Sequence, residues 1–454
     1  MIRSALKIGL AVALALAGAL SCIQAAAQLY EGARLIPGDG GPAIESSAFL
    51  IERGAITRVG KKGEIAAPAG VTRVDLTGKT VMPTLISTHV HPGFQKGLSY
   101  GAGNYTREVI LNDLNLALYY GVGVVMSQGI ERGDLAIQMR DEQLAGKLGG
   151  ARLLVAGRGI GAPNAGPGAM AYKGIAYEVS TEEQIRQAVR EQAARKVNAI
   201  KIWVDDRGGR APSLSPELSA AAADEAKKYN LRVSAHVYYY RDAVGLAAAK
   251  VDSFAHLVRD AVMDEPLLVA VMRNRVFVMP NMGGGERNTH VTPPGWWSEP
   301  HLAGLLRDTA SIEVIERMKG LFAPRDAAVV ERVRGIYRNV HQNTRRLNEA
   351  GARIILGCDT GLPDHFFGYA EQRELELMAS AGMTTMEIIV AATSRGAEYL
   401  QLADSGVLAP GKRADFLVLD ANPLDDIRNT RRIARTFIKG VEIDRAALKA
   451  SLIK

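Results

Sequence analysis

Residues 199–238 read AIKIWVDDRGGRAPSLSPELSAAAADEAKKYNLRVSAHVY and combine two strand-like segments with a helix-like one. Its two ends, AIKIWVD and RVSAHVY, have the length and composition of short buried strands. Between them, SPELSAAAADEAKKYN begins with Ser-Pro, which favours the start of a helix. A strand, a helix and a second strand in this order predict that the two strands run parallel.

The same alternation extends on both sides of this unit. A second helix is predicted over TEEQIRQAVREQAARK (181–196), whose apolar residues recur at helical spacing. The eight strand candidates are TLISTHVH (84–91), GVVMSQG (123–129), RLLVAGRG (152–159), AIKIWVD (199–205), RVSAHVY (232–238), DSFAHL (252–257), VFVMPNM (276–282) and RIILGCDT (353–360). Eight such units predict an α/β fold in which the strands close into a (β/α)8 TIM barrel.

The two ends of the chain have a different pattern. From Ala48 to Val74, short β-like runs alternate with turns, and Gly54 marks a tight reversal. A similar pattern returns in GVLAPGKRADFLVLD (406–420) and RTFIKGVEI (435–443). We therefore expect residues 28–82 and 407–454 to pair as a small β-sandwich domain beside a barrel domain of residues 83–406.

Residues 1–27 have the pattern of a secretory signal peptide. Arg3 and Lys7 precede an apolar run over residues 8–20, and small residues follow up to Ala27. The run is shorter than the roughly 20 residues that span a bilayer, which argues against a permanent anchor. The pattern predicts an exported protein that is periplasmic or secreted.

The two cysteines leave one alternative open. Leu20-Ser21-Cys22 resembles a lipoprotein cleavage box, so a lipid anchor on Cys22 competes with ordinary cleavage after Ala27. Cleavage after Ala27 would leave Cys358 alone, and no intramolecular disulfide could then form.

Composition excludes one class of partner. The formal net charge is +7, and loss of the two cations in residues 1–27 lowers it to +5. A charge this small, spread over the chain without a run of Lys and Arg, gives no basis for nucleic-acid binding. A small-molecule ligand is expected instead, and both a monomer and a homo-oligomer are compatible with the sequence.

Metal-binding side chains recur where the predicted strands end. An active site of a barrel gathers at the carboxyl ends of its strands. His89 and His91 are two residues apart on one strand, so both imidazoles project to the same side and can bind one ion. His236 and His256 end the fifth and sixth strands, and neutral imidazoles there suit a second Zn2+ or similar ion. Each histidine taken singly is equally compatible with an ordinary buried group.

Lys201 and Asp359 complete the set. Lys201 lies inside an apolar strand, where a cation is costly to bury unless it is paired or chemically altered, although a lysine snorkelling from the strand is the alternative. Asp359 closes the eighth strand and can bind metal and take a proton from water. Its neighbour Cys358 is expected to point the other way and pack in the core.

The order His89-x-His91, Lys201, His236, His256, Asp359, followed by MTTMEIIVAATSRGAEYLQLADSGVLAPGKRADFLVLDANPLDDI, resembles the amidohydrolase superfamily. The similarity covers nearly the whole mature chain and is strongest to the imidazolonepropionase-like group, which includes metal-dependent prolidases and related dipeptidases.

The resemblance implies two divalent metal ions, with Zn2+ expected, and a carbamate on Lys201 that bridges them. His89, His91 and Asp359 would then hold the first metal, and His236 and His256 the second. It implies a hydrolase that cleaves an amide C–N bond of a dipeptide-like or N-acyl amino-acid substrate with metal-activated hydroxide. Asp359 is the expected catalytic residue.

The substrate side departs from the relatives. Tyr238, Tyr239 and Tyr240 follow the fifth-strand histidine where relatives often have a small residue, and the loop after strand one is long. Tyr238 and His290 are candidates to overhang the metals, and Arg259 or Arg287 to bind a carboxylate, although ordinary loop roles fit each equally well.

Three other functions remain open. A mononuclear deaminase of the same superfamily would not require Lys201. A lactonase or phosphotriesterase-like enzyme would keep the same ligands. A non-catalytic exported binding protein would explain residues 1–27, but not six candidate ligands at strand ends.

Overall fold

The computed structural model describes residues 27–168 and 172–453. The predicted signal segment and Cys22 therefore lie outside the described residues, apart from Ala27. Its strands are, in chain order, β1 (Gln28–Glu31), β2 (Arg34–Leu35), β3 (Ser47–Glu52), β4 (Ala55–Lys61), β5 (Thr72–Asp75), β6 (Thr80–Pro83), β7 (Leu85–Val90), β8 (Gln95–Lys96), β9 (Ser99–Tyr100), β10 (Val122–Ser127), β11 (Arg152–Val155), β12 (Ile160–Gly161), β13 (Tyr177–Glu178), β14 (Ala199–Trp203), β15 (Arg232–His236), β16 (Ser253–Ala255), β17 (Phe277–Met279), β18 (Arg353–Ile354), β19 (Phe416–Leu419), β20 (Ile433–Ile438) and β21 (Val441–Glu442).

Helices alternate with the central strands, as the sequence predicts. They are α1 (Arg107–Tyr119), α2 (Leu135–Leu144), α3 (Glu182–Ala194), α4 (Pro216–Lys227), α5 (Tyr240–Ala248), α6 (Glu265–Arg273), α7 (Met282–Glu286), α8 (Pro300–Thr309), α9 (Ile312–Gly320), α10 (Ala327–Glu349), α11 (Tyr369–Ser380), α12 (Thr385–Ala391), α13 (Ser394–Tyr399) and α14 (Arg445–Ser451). None of these helices is long and apolar enough to cross a membrane.

Local capping explains where the two predicted helices begin. The Thr181 hydroxyl accepts a hydrogen bond from the backbone N of Gln184, and the Gln184 side chain accepts one from the backbone N of Thr181. This capping box starts α3. Ser215 accepts from Leu218 N in the same way, with Pro216 in the first turn of α4.

The central strands pair in parallel and return to their starting point. β7, β10 and β11 form one sheet, and β12, β14, β15, β16, β17 and β18 are neighbours in another. Asn198 N donates to Val155 O at 2.7 Å, which joins the two sheets on one side. On the other side, Thr88 N donates to Leu356 O at 2.8 Å and Asp359 N to His89 O at 3.0 Å. The carboxyl ends of these strands therefore face one common region.

The eighth strand differs from its predicted extent. Regular pairing covers only Arg353 and Ile354, whereas the apolar run predicts a strand up to Thr360. Beyond Ile354, the backbone bonds individually to its neighbours, as in Ile355 N to Val278 O, and Asp359 adopts a left-handed conformation with φ of 57°. A regular strand cannot contain such a residue.

The two chain ends pair, as predicted. β19 lies antiparallel to β6 in a sheet of order β2-β6-β19-β20-β21, and β1, β3, β4 and β5 form a second sheet. A separate buried cluster connects the two sheets, in which Tyr30 stacks on Phe49 and Phe416 on Phe437 at centroid distances of 5.0 and 4.3 Å. Gly54 makes the predicted reversal between β3 and β4, and its φ of 77° lies in the region that glycine tolerates.

A long segment between β17 and β18 carries α7 to α10 and covers the loop after β7. Trp296 and Trp297 pack with Phe322 at 5.8 and 5.4 Å between ring centroids. Arg317 from α9 donates to Leu98 O at 2.7 Å and pairs with Asp364. The two tryptophans therefore hold this segment together by aromatic packing.

Candidate active site

The predicted ligand residues lie at or near the carboxyl ends of their strands. They are His89 in β7, His91 just after it, Lys201 inside β14, His236 at the end of β15, His256 just after β16, and Asp359 shortly after β18. The parallel pairing of these strands brings all six side chains into one region.

The carboxylate of Asp359 contacts three of the histidines. Its Oδ1 lies 2.8 Å from Nε2 of His91 and 3.3 Å from Nε2 of His89, and its Oδ2 lies 3.9 Å from Nε2 of His256. One ligand atom each from His89, His256 and Asp359 lie within 4.8 Å of one another. Imidazole nitrogen and carboxylate oxygen at this spacing form a possible metal-binding group.

His236 and Lys201 extend this group along the strand ends. The rings of His236 and His256 are 4.7 Å apart between centroids. Lys201 is 1% exposed, and its Nζ has no hydrogen-bond partner among the described residues. Its charge contributes to lowering the pKa of both His89 and His236, so the amine acts on both ends of the cluster.

Burial favours the neutral forms of the basic groups of the cluster. It lowers the pKa of Lys201 to about 7, although Asp359 and Glu131 oppose the shift. It also lowers the pKa of His236 to about 4, against the hydrogen bond to Asp205, and holds that of His256 well below its usual value. Neutral imidazoles keep the lone pairs that metal binding needs.

Asp359 stays ionised despite its position. Burial raises its pKa, but its contacts with His256, His89 and His91 outweigh burial and hold the pKa well below its usual range. Its side chain is 20% exposed, more than those of His89, His91 and His256. It is thus the anionic member of the cluster that is open to a ligand.

Two further residues, neither of them predicted from the sequence, orient the histidines. The side-chain amide of Asn281 lies 3.2 Å from Nδ1 of His89, and with its oxygen on that side it also accepts from Asp359 N at 2.9 Å. Asp205 Oδ2 lies 3.1 Å from Nε2 of His236. The signal for Asp205 was present, because this residue closes the predicted fourth strand.

The backbone is strained at two of the predicted ligands. His256 and Asp359 have φ values of 75° and 57°, in the left-handed region that residues other than glycine rarely adopt. Such strain costs about 1–3 kcal/mol per residue and tends to occur at functional sites. Here it accompanies side chains that both point toward the metal-binding group.

Tyr238 and Arg259 lie together beside the cluster. The guanidinium of Arg259 sits 5.3 Å from the ring centroid of Tyr238, and its backbone N donates to Tyr238 O at 2.9 Å. Burial lowers the pKa of Arg259, while the charge of Asp359 opposes this. No salt bridge to this guanidinium is found among the described residues.

His290 and Arg287 have other contacts. His290 Nε2 lies 2.6 Å from Glu286 Oε1, and its ring contacts Trp296 and Phe322. Arg287 donates to Pro363 O at 2.9 Å. The structure therefore engages both residues in the segment after β17, and a role toward substrate stays a prediction for each.

Aromatic side chains form a wall on the His91 side. The rings of His91 and Tyr172 are 6.4 Å apart, and Phe94 packs edge-on against Tyr172 at 4.9 Å. Tyr100 and Tyr172 share a hydrogen bond between their hydroxyl groups. Cys358, in contrast, is fully buried in the core, as predicted.

Comparisons with known proteins agree with this architecture. An imidazolonepropionase of Deinococcus deserti is 39% identical over 87 residues, which are 19% of this chain and only 22% of that protein. The enamidase of Eubacterium barkeri is 21% identical over 421 residues, covering 90% of this chain and 91% of the enamidase. A crystal structure of a candidate prolidase from Bifidobacterium longum has a TM-score of 0.73 at 27% identity, covering 94% of this chain and 98% of that one.

These findings confirm the predicted imidazolonepropionase-like branch and the α/β class of the fold, and the solved neighbours are of the TIM-barrel type. The protein is therefore an enzyme of the hydrolase class. The family match itself covers residues 80–443, from β6 to the end of the chain's β-rich segment. The chain therefore belongs to the Amidohydrolase family.

Proposed function

We propose that the protein is a binuclear metal hydrolase that cleaves the amide C–N bond of a dipeptide-like or N-acyl amino-acid substrate. The observation that carries this proposal is the buried, unpartnered amine of Lys201 beside the His/Asp cluster. An amine left without a hydrogen bond in a buried site is costly. Reaction with carbon dioxide, with loss of a proton, would turn it into an anionic carbamate with two oxygens for two metals.

The donor set fits two ions. His89, His91 and Asp359 would hold the first, His236 and His256 the second, and the carbamate of Lys201 would contact both. Imidazole and carboxylate donors suit Zn2+, which is the metal we propose. When bound, the metals would supply Lewis acidity toward the scissile carbonyl and activation of water.

The side chains would perform the remaining steps. Asp359 would accept a proton from the attacking water and deliver it to the leaving nitrogen, because it is ionised and more open than the three histidines that it contacts. Arg259 would bind the substrate carboxylate, with Tyr238 beside it. The aromatic wall of Phe94, Tyr100 and Tyr172 would shield the site from bulk water on the other side.

Purified mature protein is expected to contain about two equivalents of divalent metal, because the ligands divide into two groups. Elemental analysis measures this number, and a panel of dipeptides, N-acyl amino acids, lactones and phosphotriesters measures turnover. One equivalent of metal with an unmodified Lys201 would favour a mononuclear deaminase. Turnover confined to lactones or phosphotriesters would favour a lactonase or a phosphotriesterase-like enzyme over an amide hydrolase. Full metal occupancy with no turnover on any of them would leave a binding protein.

Replacing Arg259 by methionine is expected to lower kcat/KM for substrates with a free carboxylate by about 10- to 100-fold, mainly through KM. A charge-assisted hydrogen bond contributes about 1.5–3 kcal/mol, which corresponds to this range. Carboxamide-capped versions of the same substrates should lose much less. Arg241→Met is the matched control, since Arg241 is largely exposed and pairs with Asp206. Equal losses for capped and free substrates would contradict a carboxylate contact.

We also propose export of the chain and its division into a β-sandwich domain (residues 28–82 and 407–454) and a barrel domain (83–406). The support for export is the pattern of residues 1–27, and that for the division is the separate apolar cluster between the terminal sheets. N-terminal sequencing of the protein from the extracytoplasmic fraction should start near Gln28, or at a lipidated Cys22. Intact residues 1–27 on soluble cytoplasmic protein would contradict export.

A further inference from the structure

We propose that Asp205 is a positioning residue that fixes the tautomer of His236 and presents its Nδ1 to the second metal. This inference rests on the proposed function for the metal, but its structural part concerns the metal-free chain alone. It assigns a role to a buried carboxylate outside the six predicted ligands.

The hydrogen-bond chemistry of the pair determines the tautomer. Asp205 Oδ2 lies 3.1 Å from Nε2 of His236, and Asp205 and His236 are 5% and 9% exposed. A carboxylate only accepts hydrogen bonds, and a neutral imidazole has one N–H and one lone pair. The proton therefore sits on Nε2, and the lone pair that can bind metal sits on Nδ1.

The register of the sheet brings these two residues together. Trp203, the last residue of β14, is paired directly with His236, the last residue of β15. Asp205 follows two residues later, and Val204 N donates to His236 O at 3.2 Å. The carboxylate is thus placed beside the imidazole by strand pairing.

Arg207 holds the carboxylate in this orientation. Its backbone N donates to Asp205 Oδ1 at 2.8 Å and its Nη1 to Oδ2 at 2.9 Å. Its Nη2 also donates to Gly166 O at 2.5 Å, and its backbone is left-handed, with φ of 55°. Because both oxygens of Asp205 are engaged, the side chain cannot turn away from His236 without breaking several bonds.

The two halves of the cluster are therefore oriented differently. His89 is held at Nδ1 by the neutral amide of Asn281 and turns Nε2 toward Asp359. His236 is held at Nε2 by a carboxylate and offers Nδ1. A carboxylate partner makes an imidazole a stronger metal ligand than an amide partner does. Loss of Asp205 should therefore weaken metal binding at the second site and leave the first site unaffected.

Nitrogen NMR of the metal-free protein tests the tautomer directly. In protein labelled with 15N at its eight histidines, His236→Gln identifies the signals of His236. We expect the Nε2–H form alone in the natural sequence and in Asp206→Asn, a control whose carboxylate pairs with Arg241. Asp205→Ala should populate both tautomers, and the isosteric Asp205→Asn should lie between. An unchanged tautomer in Asp205→Ala, in protein with native circular dichroism, would overturn the proposal.

Titration with Co2+, followed by its visible absorption, tests the consequence for metal binding. Asp205→Ala should lower the affinity for the second equivalent of Co2+ by about 10- to 100-fold, the usual effect of removing such a partner. The affinity for the first equivalent should stay unchanged. Equal weakening of both equivalents, or of neither, would overturn the proposal. If the natural protein binds no metal, the proposed function fails while the NMR result still decides the role of Asp205.

Discussion

Lys201→Ala is expected to lower kcat by on the order of 1000-fold or more, because the constellation loses the anion proposed to bridge its two halves. Two cations would then face each other with less compensating charge. The fold should largely survive, since alanine fits where the lysine stem lay. Steady-state kinetics and metal analysis of the purified variant measure the effect, and short carboxylic acids should partly restore activity by occupying the vacated position.

Lys201→Arg separates the carbamate from a simple buried cation. A guanidinium stays positive and cannot form a carbamate, so this variant should be as inactive as Lys201→Ala. Lys227→Ala, on the exposed face of α4, is the control for loss of a lysine and should be unaffected. Near-native turnover and metal content in Lys201→Arg would remove the bridging carbamate from the mechanism.

Asp359→Asn is expected to lower kcat by about 100- to 10,000-fold, the range for loss of a general acid–base group. Asparagine has nearly the same shape and also tolerates the left-handed backbone, so folding should be preserved. It does not accept a proton near neutral pH, which removes the proton transfer to the leaving nitrogen. Kinetics with an activated leaving group, which needs less protonation, should show a smaller loss.

Asp364→Asn is a closely matched control for this change. Asp364 has the same φ of 57° and lies in the same loop, but its carboxylate is more deeply buried and pairs with Arg317 on α9. It should retain activity within a few-fold. Equal losses in the two variants would mean that the loop after β18, and not the carboxylate of Asp359, controls turnover.

Periodicity and strand ends were sufficient to predict much of the architecture. His236 ends strand β15 and His256 directly follows strand β16. Thr181 and Ser215 cap the helices α3 and α4 where the sequence predicts that helices begin. Parallel strands place their carboxyl ends together, so the positions of the six candidate ligands followed from local pattern alone.

Interactions between distant segments could not be predicted this way. The bond between Asn281 and His89 joins residues 192 positions apart, and no local pattern encodes it. The packing of α9 against the loop after β7 depends on Arg317 reaching Leu98. The left-handed backbone at His256 and Asp359 arises because neighbouring strands and loops fix these positions against the preference of the residues themselves.

If selection for catalysis were relaxed, the backbone at His256 and Asp359 would bias the course of evolutionary drift. Glycine occupies the left-handed region without a steric cost and would relieve about 1 kcal/mol of strain at each position, asparagine is also tolerated there, and either would remove or weaken a proposed metal ligand. Loss of activity would then be accompanied by a gain in backbone stability. A relative with asparagine or glycine at both positions is therefore expected to be a folded protein that has given up hydrolysis.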